Sequence, residues 1–492
     1  MLFEIALPGG IYGKGTSRQA AGRWRDANLV RSPEGPNLQP VGGWAQRGTA
    51  AVTGAARAVM PWKENNGTRW IGVGTHSRLQ VQSASGVLAD ITPTGFTAGA
   101  ADAATGGGYG AGSYGAAAWG TPRPDTGSIT PATVWTLDTW GERLVGCGGP
   151  QDGKLYEWGL NTSLKAAAIA GAPTDCDGLV TTGERFLMAL RRRTVQWCDQ
   201  GDNTAWTPLP TNQAGDQDLD TSGTLKCGRR VSGATLLFTD VDVWRARYLG
   251  PPYVFGFEKA GADCGLIATG AVVSLDTRCV WMGKQGFFLY NGYTEALPCE
   301  AADKVFSDFN LQQASKVTAF HNAQFGEVWW FYPSGGSNEN DRYVFWNYRL
   351  DHWWTGTLAR TCGAGPGVFQ YPILIDTAGR LQEHESGLSW GATPFARSGP
   401  IEWPGDLASG ERRLLVRGLI ADERTQGDVQ ASFHVREAPN GTEATLGPFV
   451  IGAAPTSCLF SARQAELTVS FARPAEARFG GVRLDVATAG RR

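Results

Sequence analysis

The chain has 492 residues, 42% of them hydrophobic, and a formal net charge of −2. That is ample for a large core, but it leaves no global basic field to hold nucleic acid by counterion release, and no apolar run is long enough to span a bilayer. Glycine (67) and tryptophan (19) are abundant and methionine (4) is scarce, a mix that disfavours helical bundles and suits turn-rich β-structure with aromatic plugs.

In chain order, 1–44 reads as an extended, basic, loop-rich arm, punctuated too often by Gly and Pro for regular helix. The first fifty residues carry six Lys/Arg against three Asp/Glu. From 68 onward the chain reads as one short hairpin after another. The units fall at 68–95, 134–170, 178–208, 223–259, 265–298, 317–359 and 363–390. Leu79 and Val81 alternate with Arg78, Gln80 and Gln82 as in a half-buried strand. Asp152-Gly153, Thr182-Gly183 and Ala378-Gly379 supply turns. Trp70, Trp135, Trp197, Trp244, Trp281, Trp329 and Trp390 recur at blade-length intervals. This pattern predicts a β-propeller of six or seven blades over 45–396, with two strands per unit clear and the outer two inferred.

A Gly/Ala/Tyr-rich insert at 96–133 interrupts the series. It cannot bury a core of its own and is expected as a long loop or tongue reaching a lumen or a neighbouring subunit, with Tyr109, Tyr114 and Trp119 as its candidate contact residues. One short helix is expected within 301–316. In 397–492 lysine vanishes and arginine rises, with strand patterns at 413–417, 429–435 and 466–471. This segment is expected to form a β-sandwich-like domain on which the arm packs. Between the two basic-rich ends, 51–396 holds 26 basic against 32 acidic residues.

No catalytic constellation emerges. The five histidines, His76, His321, His352, His384 and His434, never fall at H-x-H or H-x-x-x-H spacing. His384 between Glu383 and Glu385 has ligand-type neighbours, yet reads as a solvated turn. Gly110, Gly112 and Gly115 match a dinucleotide fingerprint only by composition, since no βαβ unit surrounds them. The pairs Asp422-Glu423 and Glu383/Glu385 are too local to predict a glycosidase carboxylate separation. Arg191-Arg192-Arg193 reads as a loop between strands, and Trp329-Trp330 and Trp353-Trp354 read as core plugs rather than sugar platforms. Nine scattered cysteines without a C-x-x-C pair fit reduced, buried thiols, and no secretory leader pattern opens the chain. No catalytic residue, metal or cofactor is expected.

Several ordered segments resemble one family. They are Gly22-Arg23-Trp24-Arg25-Asp26-Ala27-Asn28-Leu29-Val30-Arg31 with Val41-Gly42-Gly43-Trp44, the tract 109–120 leading to Thr121-Pro122-Arg123, and Trp135-Thr136-Leu137-Asp138-Thr139-Trp140-Gly141-Glu142. Further along come Trp281-Met282-Gly283-Lys284-Gln285-Gly286-Phe287-Phe288 with Asp303-Lys304-Val305-Phe306, then Asp341-Arg342-Tyr343-Val344-Phe345-Trp346-Asn347-Tyr348 and Val482-Arg483-Leu484-Asp485-Val486. The series resembles the tail hub, or nozzle, proteins of short-tailed bacteriophages, also called packaged-DNA stabilisation proteins. The resemblance implies a virion tail component assembled in the bacterial host cytoplasm. It implies a homo-oligomeric ring, usually a hexamer, below the portal and adaptor rings, which extends the channel for genomic DNA, retains packaged DNA and supports tail fibres or spikes. A propeller enzyme acting on carbohydrate and a cellular protein-binding propeller remain alternatives.

Overall fold

Each unit becomes a four-stranded antiparallel sheet, because short Gly-bearing turns return the chain at once to its own neighbour. In the computed structural model, which describes residues 1–105, 129–401, 413–438, 440–473 and 476–489, there are seven such blades. Blade 1 is Ala56–Lys63, Arg69–Thr75, Leu79–Ser83 and Leu88–Asp90; blade 2 is Thr136–Trp140, Arg143–Cys147, Leu155–Trp158 and Ala167–Ala168. Blade 3 is Gly178–Thr181, Leu187–Arg191, Thr194–Trp197 and Gly215–Asp218; blade 4 is Leu225–Val231, Ala234–Thr239, Val243–Gly250 and Val254–Gly261. Blade 5 is Val272–Leu275, Arg278–Met282, Phe287–Tyr290 and Thr294–Leu297; blade 6 is Thr318–Asn322, Glu327–Tyr332, Arg342–Asn347 and His352–Thr357. Blade 7 takes Cys362–Ala364, Ile373–Ile375 and Arg380–Gly387 from the end of the series and Gly43–Ala51 from its beginning.

The first strand of each blade lies beside the first strand of the next, and that of blade 7 lies beside that of blade 1. The chain is therefore an all-β, closed seven-bladed propeller, zipped shut by a strand from its N-terminal segment. The inner strand of blade 1 escaped the sequence reading because Arg57, Pro61 and Lys63 interrupt its apolar pattern. The helix expected in 301–316 is one turn and a half of α-helix, Ala302–Ser307, followed by a 3-10 segment, Leu311–Lys316.

Blades are covered on both faces by their neighbours, so second strands such as Glu327–Tyr332 are buried throughout rather than alternating. Tryptophan rivets the contacts between blades. Trp135 of blade 2 donates through Nε1 to the Thr75 carbonyl at 2.8 Å, and Trp330 of blade 6 donates to the Ala271 carbonyl at 3.0 Å. Gly74 makes room for the first of these, since a Cβ there would stand 2.3 Å from the Trp135 ring.

The remaining strands form a two-sheet sandwich. One sheet runs Leu2–Ile5, Val482–Ala489, Arg413–Ala421, Thr456–Ala462; the other runs Trp24–Asn28, Phe395–Pro400, Gln464–Phe471, Val429–Arg436, Ala444–Ile451. The N-terminal segment thus supplies a strand to each sandwich sheet before closing blade 7. The sandwich core is continuous with blades 6 and 7, joining Trp24, Leu467 and Val486 to Trp329, Phe345 and Leu374. At this seam Arg31 is buried between two carboxylates. It pairs with Glu327 at 2.9 Å and with Glu385 at 2.5 Å, and its guanidinium lies 3.7 Å from the centre of the Phe325 ring.

Candidate functional site: an axial channel, an insert root and an apolar rim

The inner strands of the seven blades enclose an axial channel of about 450 Å³. Small residues such as Ala58, Gly228, Gly270 and Ala319 leave the space, and Arg57, Asp138, Arg229 and Arg230 carry its charge. None of the five histidines lines it. Arg230 of blade 4 reaches Asp138 of blade 2 at 3.0 Å across this space, so side chains occupy the bore that a nucleic-acid duplex would have to fill.

Over one mouth of the channel sits the root of the insert, where Ala104–Thr105 pairs with Ile129–Thr130. The 3-10 segment holds both legs. Ala103 N–H donates to Gln313 Oε1 and Gln313 Nε2 returns a bond to the Ala103 carbonyl, both at 2.9 Å. Ala132 N–H donates to Ser315 Oγ at 3.1 Å. A charged clamp sits beneath. The fully buried Lys316 ammonium pairs with Asp102 at 2.5 Å and with Glu339 at 3.2 Å. Arg57 pairs with Glu339 and donates to the Ala101 carbonyl at 2.7 Å. The hydrogen bond from Lys316 holds the Asp102 carboxyl below its ordinary range. Nearby, burial and then the Arg57 charge push the His76 imidazole below its ordinary value. Clamps of this kind were invisible in the sequence, because Arg57 and Asp102 lie more than 200 positions from the Glu339 and Lys316 that they meet.

The opposite face carries a different signal. Turns joining third to fourth strands all lie on the face away from the insert, because successive turns of an antiparallel blade alternate between its two ends. Six of these turns expose a large apolar side chain: Val87, Leu164, Leu209, Tyr253, Tyr293 and Leu350, on blades 1 to 6 in order. Leu388 stands exposed at the equivalent end of blade 7. Isolated exposed hydrophobes are ordinary; one per blade on one face is a patterned rim. Single-sequence reading missed it, since each residue is unremarkable within its own turn.

The candidate contact residues Tyr109, Tyr114 and Trp119, and the Gly110–Gly115 match with them, lie outside the described residues. The other segments singled out above are placed as follows. His384 is buried, stacks on Trp44 at 5.1 Å between ring centres and accepts from Arg360 Nε at 2.9 Å. Its neighbours point elsewhere, Glu383 to Arg47 and Glu385 to Arg31. The solvated turn expected around His384 is therefore a buried part of blade 7. Among the described residues no group of three or more His, Cys, Asp or Glu is placed to hold a metal ion. Asp422 accepts from Thr425 within its own turn. Arg191–Arg193 form the hairpin turn of blade 3, with Arg191 bound to Asp175 at 2.6 Å. Trp329, Trp330, Trp353 and Trp354 are all buried core. All nine cysteines are buried and unpaired, and burial pushes the Cys147 thiol up to about 12. Among the described residues no helix is long and apolar enough to cross a membrane.

No family model matches the chain, and no curated protein matches it. Among solved structures it is similar to a streptogramin B lyase, at 8% identity and a TM-score of 0.41, over 69% of this chain and 96% of that one. It is similar also to virginiamycin B lyase from Staphylococcus aureus, at 6% identity and a TM-score of 0.42, over 67% and 94% of the two chains. A chain of a mitotic checkpoint complex matches at 10% identity and a TM-score of 0.40, over 69% and 92%.

Proposed function

We propose that this chain is a structural, non-enzymatic subunit of a short-tailed phage tail: a hub or nozzle protein, six copies of which form a ring below the portal and adaptor. In this reading the DNA conduit lies between copies, because the propeller's own axis is too narrow for a duplex. The ordered segments from the arm to Val482-Arg483-Leu484-Asp485-Val486 support the family assignment. The apolar rim is the observation that carries the assembly role, since a circle of solvent-facing Leu, Val and Tyr side chains is the surface of a part that docks. The clamped insert root on the other face supports a second fixed contact, toward a neighbouring subunit or the lumen. Fibres or spikes and the adaptor ring are the further partners that the assembled ring would serve.

Light scattering and electron microscopy of the purified protein test the reading. A ring of six 52.5 kDa subunits, and the same protein in the tails of intact particles, are the expected results. A lone monomer absent from particles, or turnover of a carbohydrate substrate, would overturn it.

A further inference from the structure

We propose that the axial channel is a binding well for a small oxyanion, with Arg229 as its principal ligand. The argument begins with how the charges around the channel are already spent. Glu339 is held by Arg57 and Lys316, and Lys316 also takes Asp102. Asp138 accepts from Arg230 at 3.0 Å, from the Thr181 N–H at 2.9 Å and from the Thr139 N–H at 2.8 Å. Its acceptor sites are therefore occupied from blades 2, 3 and 4. Four cations thus face three carboxylates, and Arg229 is the one left over.

Arg229 has no carboxylate within 4 Å among the described residues. Its guanidinium donates only to backbone carbonyls, Gly228 at 3.0 Å and Thr269 at a marginal 3.5 Å. It is half-buried in the channel wall, which Ser274, Thr269 and Thr318 also line. A guanidinium fork is built for bidentate oxyanion binding. Placed inside a ring of low-dielectric sheets, its field is focused along the axis rather than screened at once by solvent. The available volume suits an ion of phosphate size with several waters, or a small phosphorylated or carboxylated molecule. Arg230, half-exposed beside it, adds attraction while remaining tethered to Asp138. This site is independent of the ring assembly proposed above.

The test uses the full chain and inorganic phosphate as probe, followed by phosphorus NMR line broadening and by thermal shift at constant ionic strength with chloride as the balancing anion. Saturable binding is expected in the wild type. Affinity should fall tenfold or more in Arg229→Ala, be partly retained in Arg229→Lys, and be unchanged in Arg278→Ala, an exposed arginine that does not line the channel. Citrate in a parallel titration should compete with phosphate, as a shared oxyanion site requires. Absence of saturation, equal binding in Arg229→Ala, or equal loss in Arg278→Ala would overturn the proposal. Light scattering on the same variants separates this outcome from the hub reading, because Arg229→Ala is expected to assemble as the wild type does.

Discussion

Replacing Arg31 with methionine removes the charge at the seam between sandwich and propeller while keeping an unbranched apolar stem in its place. Arg31 is 2% exposed and Glu327 0%. Besides the ion-pair contact from Nε, Arg31 donates to Glu327 Oε2 at 3.0 Å and to both Glu385 oxygens, at 2.5 and 3.0 Å. Trp329 Nε1, the Gly42 N–H and Asn322 Nδ2 satisfy further carboxylate sites. Without the guanidinium, two buried carboxylates face each other with only neutral donors. Breaking a buried pair by removing one partner costs about 3–5 kcal/mol, and the buried like charges place Arg31→Met at the upper end. Burial already raises the Glu327 carboxyl, with Arg31 opposing that shift. Once Arg31 is gone, Glu327 should take up a proton more readily, so the loss should be smaller at pH 5 than at pH 7. Guanidinium denaturation followed by tryptophan fluorescence measures the loss. Adding Glu327→Gln and Glu385→Gln to Arg31→Met should recover at least half of it. A loss under about 1 kcal/mol, the scale of an exposed pair, or a triple variant no more stable than Arg31→Met, would refute the reasoning.

Trp135→Phe should cost about 1–3 kcal/mol, because the buried Thr75 carbonyl loses its donor; thermal denaturation checks this. Ser315→Ala should accelerate amide exchange at Ala132 without changing the bulk melting transition, since it removes one tie of the insert root. Burial, and after it the Arg360 charge, holds the His384 imidazole well below its ordinary value. Its stabilising share is therefore fully present above about pH 6.5 and is lost as pH falls below it, and His384→Gln should flatten stability between pH 7 and 5. With all nine thiols buried, a thiol-reactive dye should find fewer than one group per native chain and nine after denaturation. Serine at Leu164, Tyr253 and Tyr293 together should weaken self-association while leaving the melting temperature within about 2 °C, because exposed positions contribute little to folding.

The propeller was legible because its signal is local and repeated. A turn such as Asp152-Gly153 and a plug such as Trp158 or Trp281 report themselves within ten residues, and seven repetitions average away the ambiguity of any one. The fourth strands of blades 1 and 2 were not legible for the converse reason: Leu88–Asp90 and Ala167–Ala168 are three and two residues long and carry no pattern. Nor was the inner strand of blade 1, where Arg57 faces the channel rather than solvent and so breaks the alternation that marks a strand. The site failed for a third reason. Arg57 finds Glu339, Lys316 finds Asp102, and Arg31 finds Glu327 and Glu385 across separations set by ring closure alone. A histidine between two glutamates looked like a turn because strand Arg380–Gly387 meets its outer partner, Gly43–Ala51, only after the ends of the series have come together.

That meeting has a consequence for how the molecule behaves as a part. The first fifty residues place one strand in each sandwich sheet and the last strand in blade 7, so neither sandwich nor propeller is complete without them. Loop closure over more than 300 residues must precede the pairing of Gly43–Ala51 with Arg380–Gly387, and its entropic cost grows only slowly with length. The seam charges at Arg31 then form only when both bodies are in place. Sandwich and propeller are for this reason expected to unfold in one step, and the rim and the insert root, on opposite faces, to keep a fixed geometry relative to each other. The proposed hub role, in which position is transmitted between two faces, would need that rigidity, and the arm supplies it by belonging to both bodies at once.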